Sequence, residues 1–209
     1  MPLHRADRDL PAITVLALLL TGPRHTYEMH RMMIDTHKDF VTGLPRSLYH
    51  AVDRLLRAEL IAIKEINSQP GRPDRTVYTL TAQGRADLRN RVTRLLETPD
   101  TDATGMQAAL SFLGALPPDR AVTALRKRQQ QLEAGYGSAM AGLSAASTVP
   151  RLLLIEVEYE AARLGAELDW TAALIDDIAD GSLTWPGNVE DLVAAMPPMP
   201  THDPDEEKP

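Results

Sequence analysis

Two short stretches of this 209-residue chain alternate apolar and polar side chains, residues 61–66 (IAIKEI) and residues 76–80 (TVYTL). They flank residues 68–74 (SQPGRPD), a segment rich in turn-forming residues. Alternation with a period of two is typical of β-strands, and turn residues between two such stretches indicate a hairpin. Most apolar residues elsewhere follow a helical spacing. The sequence therefore predicts a mainly α fold with one small β-hairpin, whose tip has seven residues.

Three helical patterns precede the hairpin, at residues 13–20, 26–38 and 45–60. Gly22 and Pro23 should end the first, because glycine accepts the left-handed cap and proline cannot continue a helix. Thr26 is the expected N-cap of the second. The third has apolar residues at i, i+4, i+7 and i+8, namely Leu48, Val52, Leu55 and Leu56. After the hairpin, Thr81 should cap a fourth helix over residues 82–96, despite Gly84.

Helices followed by a hairpin within about eighty residues are the order of a winged helix-turn-helix. That fold lays its last helix in the major groove of DNA and its hairpin, the wing, along the backbone. The formal charge of the chain, −7, argues against nucleic acid at first sight. However, residues 1–98 carry 15 basic and 11 acidic side chains, whereas residues 99–209 carry 7 basic and 18 acidic side chains. The predicted DNA-binding half is therefore cationic, and the other half is acidic.

The third helix has a polar face opposite its apolar one. At 100° per residue, the apolar residues lie within about 80° of Leu48, and Arg46, His50, Asp53 and Arg57 lie at about 140° to 200°. Arg46, Ser47 and His50 are near the N-terminal end, where recognition helices place base contacts. Tyr49 lies on the border of the two faces, so either its hydroxyl reaches a phosphate or it is simply half-buried.

The wing tip offers guanidinium groups to phosphate, although a merely solvated turn is the alternative. Arg57 either faces DNA or only pairs with Asp53. The predicted DNA contacts are Thr26, Tyr27, Arg46, Ser47, Tyr49, His50, Arg54, Arg72 and Arg75.

Helical patterns also fill the second half, at residues 106–116, 120–140 and 151–179, with Asp119 as the expected N-cap of the middle one. Their apolar stripes need a partner chain, which predicts a homodimer. Trp170 is the candidate for lining a small-molecule effector pocket, and a tryptophan of the dimer core is the alternative. Trp185 should cover an apolar surface. The predicted divisions are a DNA-binding domain (1–98), a helical dimerisation and effector domain (99–181) and a C-terminal extension (182–209), disordered over 196–209.

Several function classes are disfavoured by the sequence. It has no Gly-x-Ser-x-Gly elbow, phosphate-binding Gly-rich loop or His-Glu-x-x-His, so we expect no catalytic residues and no cofactor. There is no cysteine, and the longest apolar run has 8 residues, which predicts a cytoplasmic protein without a membrane span. No two histidines of the first half are spaced i, i+4 on one helix, so no metal site is expected at His25, His30, His37 or His50.

Several short motifs, taken in order, resemble the PadR family of bacterial transcriptional regulators. They are Tyr27-Glu28-Met29, Ser47-Leu48-Tyr49, Ala58-Glu59-Leu60-Ile61, Gly71-Arg72-Pro73 and Tyr78-Thr79-Leu80-Thr81-Ala82-Gln83-Gly84. In the second half, the segment from Phe112 to Pro117 and the late Trp170 also resemble the longer type of this family. Two positions depart from the pattern: Arg46 stands where a small residue is common, and Leu60 follows Glu59 where glycine usually ends the recognition helix.

The resemblance implies a repressor that dimerises through its C-terminal helices and binds a palindromic DNA operator. Such repressors often release the operator when a small effector binds. Two alternatives stay open: a winged-helix protein-interaction module that does not bind DNA, and a metal-responsive regulator.

Overall fold

The computed structural model describes residues 3–4, 6–35, 41, 43–67, 75–100 and 102–185. These residues form helices and strands in the order α1 (Leu10–Leu20), β1 (Arg24–His25), α2 (Thr26–Asp35), α3 (Arg46–Arg57), β2 (Ile61–Asn67), β3 (Arg75–Leu80), α4 (Ala82–Glu97), α5 (Thr104–Ser111), α6 (Pro118–Ala145) and α7 (Ile155–Ala179). The predicted fold class, mainly helical with a small β wing, is confirmed.

The strands form an antiparallel sheet in the order β1-β3-β2. In the predicted hairpin, Ile61 pairs with Leu80 and Asn67 with Arg75, with an irregularity between Ile63 and Glu65. The third strand, β1, pairs with β3 and was not predicted, because two residues are too few to show alternation. The tip of the wing, residues 68–74, which includes the predicted DNA contact Arg72, lies outside the described residues.

The core of the first half lies between α1, α3 and α4. Almost all of α1 is buried, as expected for its continuous apolar run, and α3 buries Leu48, Val52 and Leu55. Each such side chain contributes about 1.5 to 3 kcal/mol when removed from water. Because one side of α3 is fixed in this core, its opposite side is held toward solvent.

The C-terminal end of α3 is closed by a two-bond cap. Leu60 N–H donates to the Leu55 carbonyl (3.0 Å) and Glu59 N–H donates to the Leu56 carbonyl (3.0 Å), with Glu59 at φ 56°. This is the Schellman arrangement, in which the residue with positive φ is usually glycine. The residue in the left-handed conformation is thus Glu59, one position before the predicted departure at Leu60, and a glutamate occupies the place where the backbone favours glycine.

We expect Glu59→Gly to raise the free energy of unfolding by about 0.5 to 1 kcal/mol. Glycine adopts a positive φ without the steric cost that a residue with a Cβ atom has, which stabilises the folded state. It also makes the unfolded chain more flexible, which offsets part of that gain. Urea denaturation followed by circular dichroism measures the difference. Glu133→Gly is the matched control, because Glu133 is exposed in the middle of α6; this variant should lower the free energy of unfolding by about 1 kcal/mol. Equal losses in both variants would contradict the assigned cap.

In the second half, α6 and α7 pack antiparallel, since Arg128 contacts Glu167 whereas the ring of Tyr136 lies against Gly165. The predicted N-cap Asp119 is wrong: α6 begins at Pro118, after Pro117, and Asp119 lies in its first turn. Proline suits this first turn because its missing N–H has no helical partner there. Similarly, α7 begins later than predicted because Arg151–Leu153 form a separate 3₁₀ turn.

The two halves share a continuous apolar core. α4 ends at Glu97 and α5 begins at Thr104, close to the predicted linker, and α6 then packs against α4. Trp185 covers part of this core, as predicted, and its Nε1 donates to the Leu116 carbonyl (3.1 Å). The predicted disordered tail, 196–209, lies outside the described residues. Within the part of the chain that is described, no helix is long and apolar enough to cross a membrane.

Candidate nucleic-acid interface

One face of α3 carries exposed polar side chains. Arg46, Tyr49, His50, Asp53 and Arg57 all point to solvent, opposite the buried Leu48 and Val52. Within the described part of the chain, none of these five side chains makes an intramolecular hydrogen bond or ion pair. Tyr49 is 52% exposed, so its ring extends further from the core than its borderline helical angle predicted. This face is available to an external partner.

The N-terminus of α2 differs from the sequence prediction. Thr26 is its first residue rather than the N-cap, and its side chain is buried, whereas Tyr27 is exposed. His25 does the capping: its Nδ1 accepts from Tyr27 N–H (3.0 Å), and its own N–H donates to the Glu28 carboxylate (2.9 Å). The reciprocal pair resembles a capping box shifted by one residue. A histidine cap has no strong sequence signature, which is why the sequence did not reveal it.

This cap requires a neutral imidazole, since Nδ1 accepts a hydrogen bond. Burial lowers the pKa of His25; nearby Glu28 opposes the shift, and Arg75 adds to it. Because the folded pKa lies below the unfolded value of about 6.5, the unfolded chain binds more protons. His25 therefore stabilises the folded state fully at a pH above its unfolded pKa, and this stabilisation is lost as the pH falls through its folded pKa.

Arg54 is paired within the chain. Its guanidinium donates to both carboxylate oxygens of Asp9 (2.9 and 2.8 Å), and Asp9 also accepts from Ala12 N–H (3.3 Å), which caps α1. A DNA phosphate would have to compete with Asp9 for this predicted contact. The pairing joins residues 45 positions apart, so no local pattern indicates it. Of the two predicted wing arginines, Arg75 is exposed at the start of β3.

A protein-family model described as "Transcriptional regulator PadR-like family" matches the sequence over residues 15–90. Residues 15–90 are a PadR-like domain. The domain includes α3 and the whole hairpin, and its family is one of transcriptional regulators rather than enzymes. The predicted resemblance is therefore confirmed over this segment.

The solved structures to which this chain is similar include three structures of two PadR-type regulators. Bacillus subtilis PadR in complex with operator DNA has 15% sequence identity and a TM-score of 0.39, over 80% of this chain and 98% of that chain. The same protein with p-coumaric acid has 15% identity and a TM-score of 0.37, over 82% and 97%. A PadR-like regulator from Bacillus cereus has 14% identity and a TM-score of 0.36, over 82% and 99%. No curated protein matches the sequence significantly.

A cavity of about 290 Å³ lies beyond the PadR-like domain, between α5, α6 and α7. Trp170 lines it and is 48% exposed, and the apolar side chains of Met106 and Leu110 face it as well. Arg128 and Arg163 form its charged part, and both donate to the carboxylate of Glu167. An apolar cavity with a few fixed polar groups is the usual form of a small-molecule site.

The histidines do not form a metal centre in the described part of the chain. No group of three or more His, Asp or Glu side chains there is arranged to hold a metal ion. His37 lies outside the described residues.

Proposed function

We propose that this protein is a dimeric repressor that binds a palindromic DNA operator and releases it when a small molecule binds. The exposed face of α3 carries the proposal, because Arg46, Tyr49, His50, Asp53 and Arg57 make no hydrogen bond or ion pair with other described residues, while the opposite face is fixed in the core. In a winged helix-turn-helix this helix enters the major groove. Arg46, Ser47 and His50 would then meet base edges, while Tyr27 and Tyr49 would reach phosphates.

Exposed apolar side chains on the second half support the homodimer. Leu152, Leu153 and Tyr159 are 77%, 64% and 70% exposed, and several exposed large apolar residues within one short segment favour an interaction surface. A groove of about 370 Å³ between α6 and α7, lined by Tyr136 and Met140 among others, lies on the same pair of helices. A second copy could cover these groups, and the two α3 helices of a dimer bound to a palindrome would lie in successive major grooves, about 34 Å apart, where bound protein excludes polymerase.

The Trp170 cavity supports release by an effector. A ligand there would touch the Arg128–Glu167 pair, which joins α6 to α7. Release requires that the ligand prefer an arrangement of the dimer that fits the operator poorly. The test is whether compounds that quench the emission of Trp170 also dissociate the DNA complex, with Trp170→Phe as the control.

DNA binding is tested by titrating the full chain with labelled duplex at several salt concentrations. A DNA-binding protein should lose affinity with a log–log slope of about −0.9 per phosphate contact, whereas a protein-interaction module should show no binding. Selection from genomic fragments at moderate salt should recover an inverted repeat. Failure to recover any preferred palindrome would rule out the operator.

Two classes of variant should separate base contacts from phosphate contacts. We expect Arg46→Ala and His50→Ala to relax sequence preference, each by about 1 to 3 kcal/mol, whereas Arg72→Ala should weaken all sequences alike and reduce the salt slope by about 1. Arg54→Gln makes a matched comparison, because Asp9 already holds that guanidinium and the slope should change less. If Arg72→Ala leaves nonspecific affinity unchanged, the wing does not contact the backbone.

A further inference from the structure

Asp53 lies in the middle of the exposed face of α3. Its neighbours along that face are Arg46, His50 and Arg57, at i−7, i−3 and i+4, which places all four on one stripe of the helix. The sequence of α3, RSLYHAVDRLLR, contains no other acidic residue. A single carboxylate thus interrupts a surface that is otherwise cationic or hydrogen-bonding.

The nearby arginines do not neutralise this carboxylate. Arg54, the next residue along the chain, donates to Asp9 instead. Arg57 is one turn further on, at the spacing where Asp–Arg pairs commonly form, yet no ion pair joins it to Asp53. Among the described residues, Asp53 therefore has no polar partner of any kind, and its full charge faces outward.

A full negative charge on a surface that meets DNA opposes binding, because it faces the phosphate backbone. It is compatible with tight binding only where the duplex offers it a hydrogen-bond donor. In the major groove the cytosine N4 amino group is the donor that Asp and Glu side chains use. Guanine offers two acceptors on its edge instead, so a carboxylate placed against guanine would be repelled.

We propose that Asp53 determines operator specificity by accepting a hydrogen bond from the N4 amino group of a cytosine in each half-site. This inference rests on the proposed function, since it requires α3 to lie in the major groove. The carboxylate selects in two ways: it binds the cytosine edge, and it disfavours sites that present only acceptors there. Discrimination through such a repulsive element is a common route to specificity.

The experiment is a selection of duplexes with randomised half-sites, carried out with the full chain and with three variants. The wild-type chain should enrich C·G at one position of each half-site by about 10-fold over the other pairs. Asp53→Asn should move that preference to A·T, because a carboxamide both donates to adenine N7 and accepts from N6. Asp53→Ala should lose the preference at that position and bind duplexes without cytosine there more tightly than the wild type does. Asp119→Asn, the same charge change in the first turn of α6, should leave the base profile as in the wild type.

The outcomes distinguish this inference from the proposed function. If the wild type enriches a palindrome but Asp53→Asn keeps the same base profile at every position, Asp53 contributes only charge and the inference is wrong. If the wild type binds no duplex at moderate salt, the proposed function fails and the inference fails with it. Because Asp53 is exposed and unpaired, its variants should fold normally, which circular dichroism checks.

Discussion

Gly84→Ala should lower the free energy of unfolding by about 3 kcal/mol or more. Gly84 lies in the first turn of α4, where an added Cβ would be 1.9 Å from the Leu60 carbonyl oxygen and 2.9 Å from Leu80 Cδ1. The oxygen is backbone, so it cannot rotate away as a side chain would.

The Leu60 carbonyl is also held in place by the cap of α4. It accepts from Thr81 N–H (3.2 Å) and from the Thr81 hydroxyl (2.9 Å), and that hydroxyl in turn accepts from Gly84 N–H (2.9 Å). Moving Leu60 to admit a methyl group would break these bonds. The same carbonyl follows the Glu59 turn that ends α3, so the junction ties the C-terminal end of α3 to the start of α4.

Urea denaturation at constant temperature measures the effect. Gly137→Ala is the matched control, because a Cβ at Gly137 in α6 meets no atom within 4 Å. There, alanine should be neutral or stabilising by up to about 1 kcal/mol, as its helix propensity predicts. A Gly84→Ala variant within about 0.5 kcal/mol of the wild type would show that this junction is not tightly packed.

The sequence predicted the elements whose signals are local. The alternation in residues 61–66 and 76–80 located the hairpin, and the spacing of Leu48, Val52 and Leu55 identified which face of α3 is buried. That spacing also placed His50 on the exposed face, where the structure has it. Periodicity suffices here because a helix that has one face in the core must expose the other.

What the sequence missed depends on distant parts of the chain. Gly84 was interpreted as a weakness in a helix, because its reason, the close approach of Leu60, exists only once α3 and α4 meet. The pairing of Arg54 with Asp9, which lies 45 residues earlier, was not predicted. Pairing partners at such separations are fixed by tertiary packing, and a single sequence does not encode them in any local pattern.

Arg128 is the most consequential residue that the sequence did not single out. The residue is 2% exposed, and all three guanidinium nitrogens donate hydrogen bonds. Nε and Nη2 donate to the Glu167 carboxylate of α7, while Nη1 donates to the Leu95, Leu96 and Thr98 carbonyls (3.3, 3.4 and 2.9 Å). The positive charge of Arg128 also interacts favourably with the negative, C-terminal end of the α4 helix dipole. One side chain of α6 thus joins the last turn of α4 to α7.

Arg128→Met should lower the free energy of unfolding by about 3 kcal/mol, as measured by urea denaturation. Methionine fills a similar volume but leaves the α4 carbonyls without this donor and removes one partner of Glu167, and breaking such a buried pair is costly. Arg163 still donates to Glu167 (3.1 Å), which keeps the loss below that of a fully isolated charge.

Arg126→Met is the control, because Arg126 is exposed on the same helix and its loss should change stability by less than about 0.5 kcal/mol. Equal stability of the two variants would mean that apolar packing alone holds α4 to α6 and α7. A large difference would instead show that one guanidinium adds substantially to the shared apolar core in holding the PadR-like domain to the acidic half. That guanidinium also lines the Trp170 cavity, where a bound molecule could reach it.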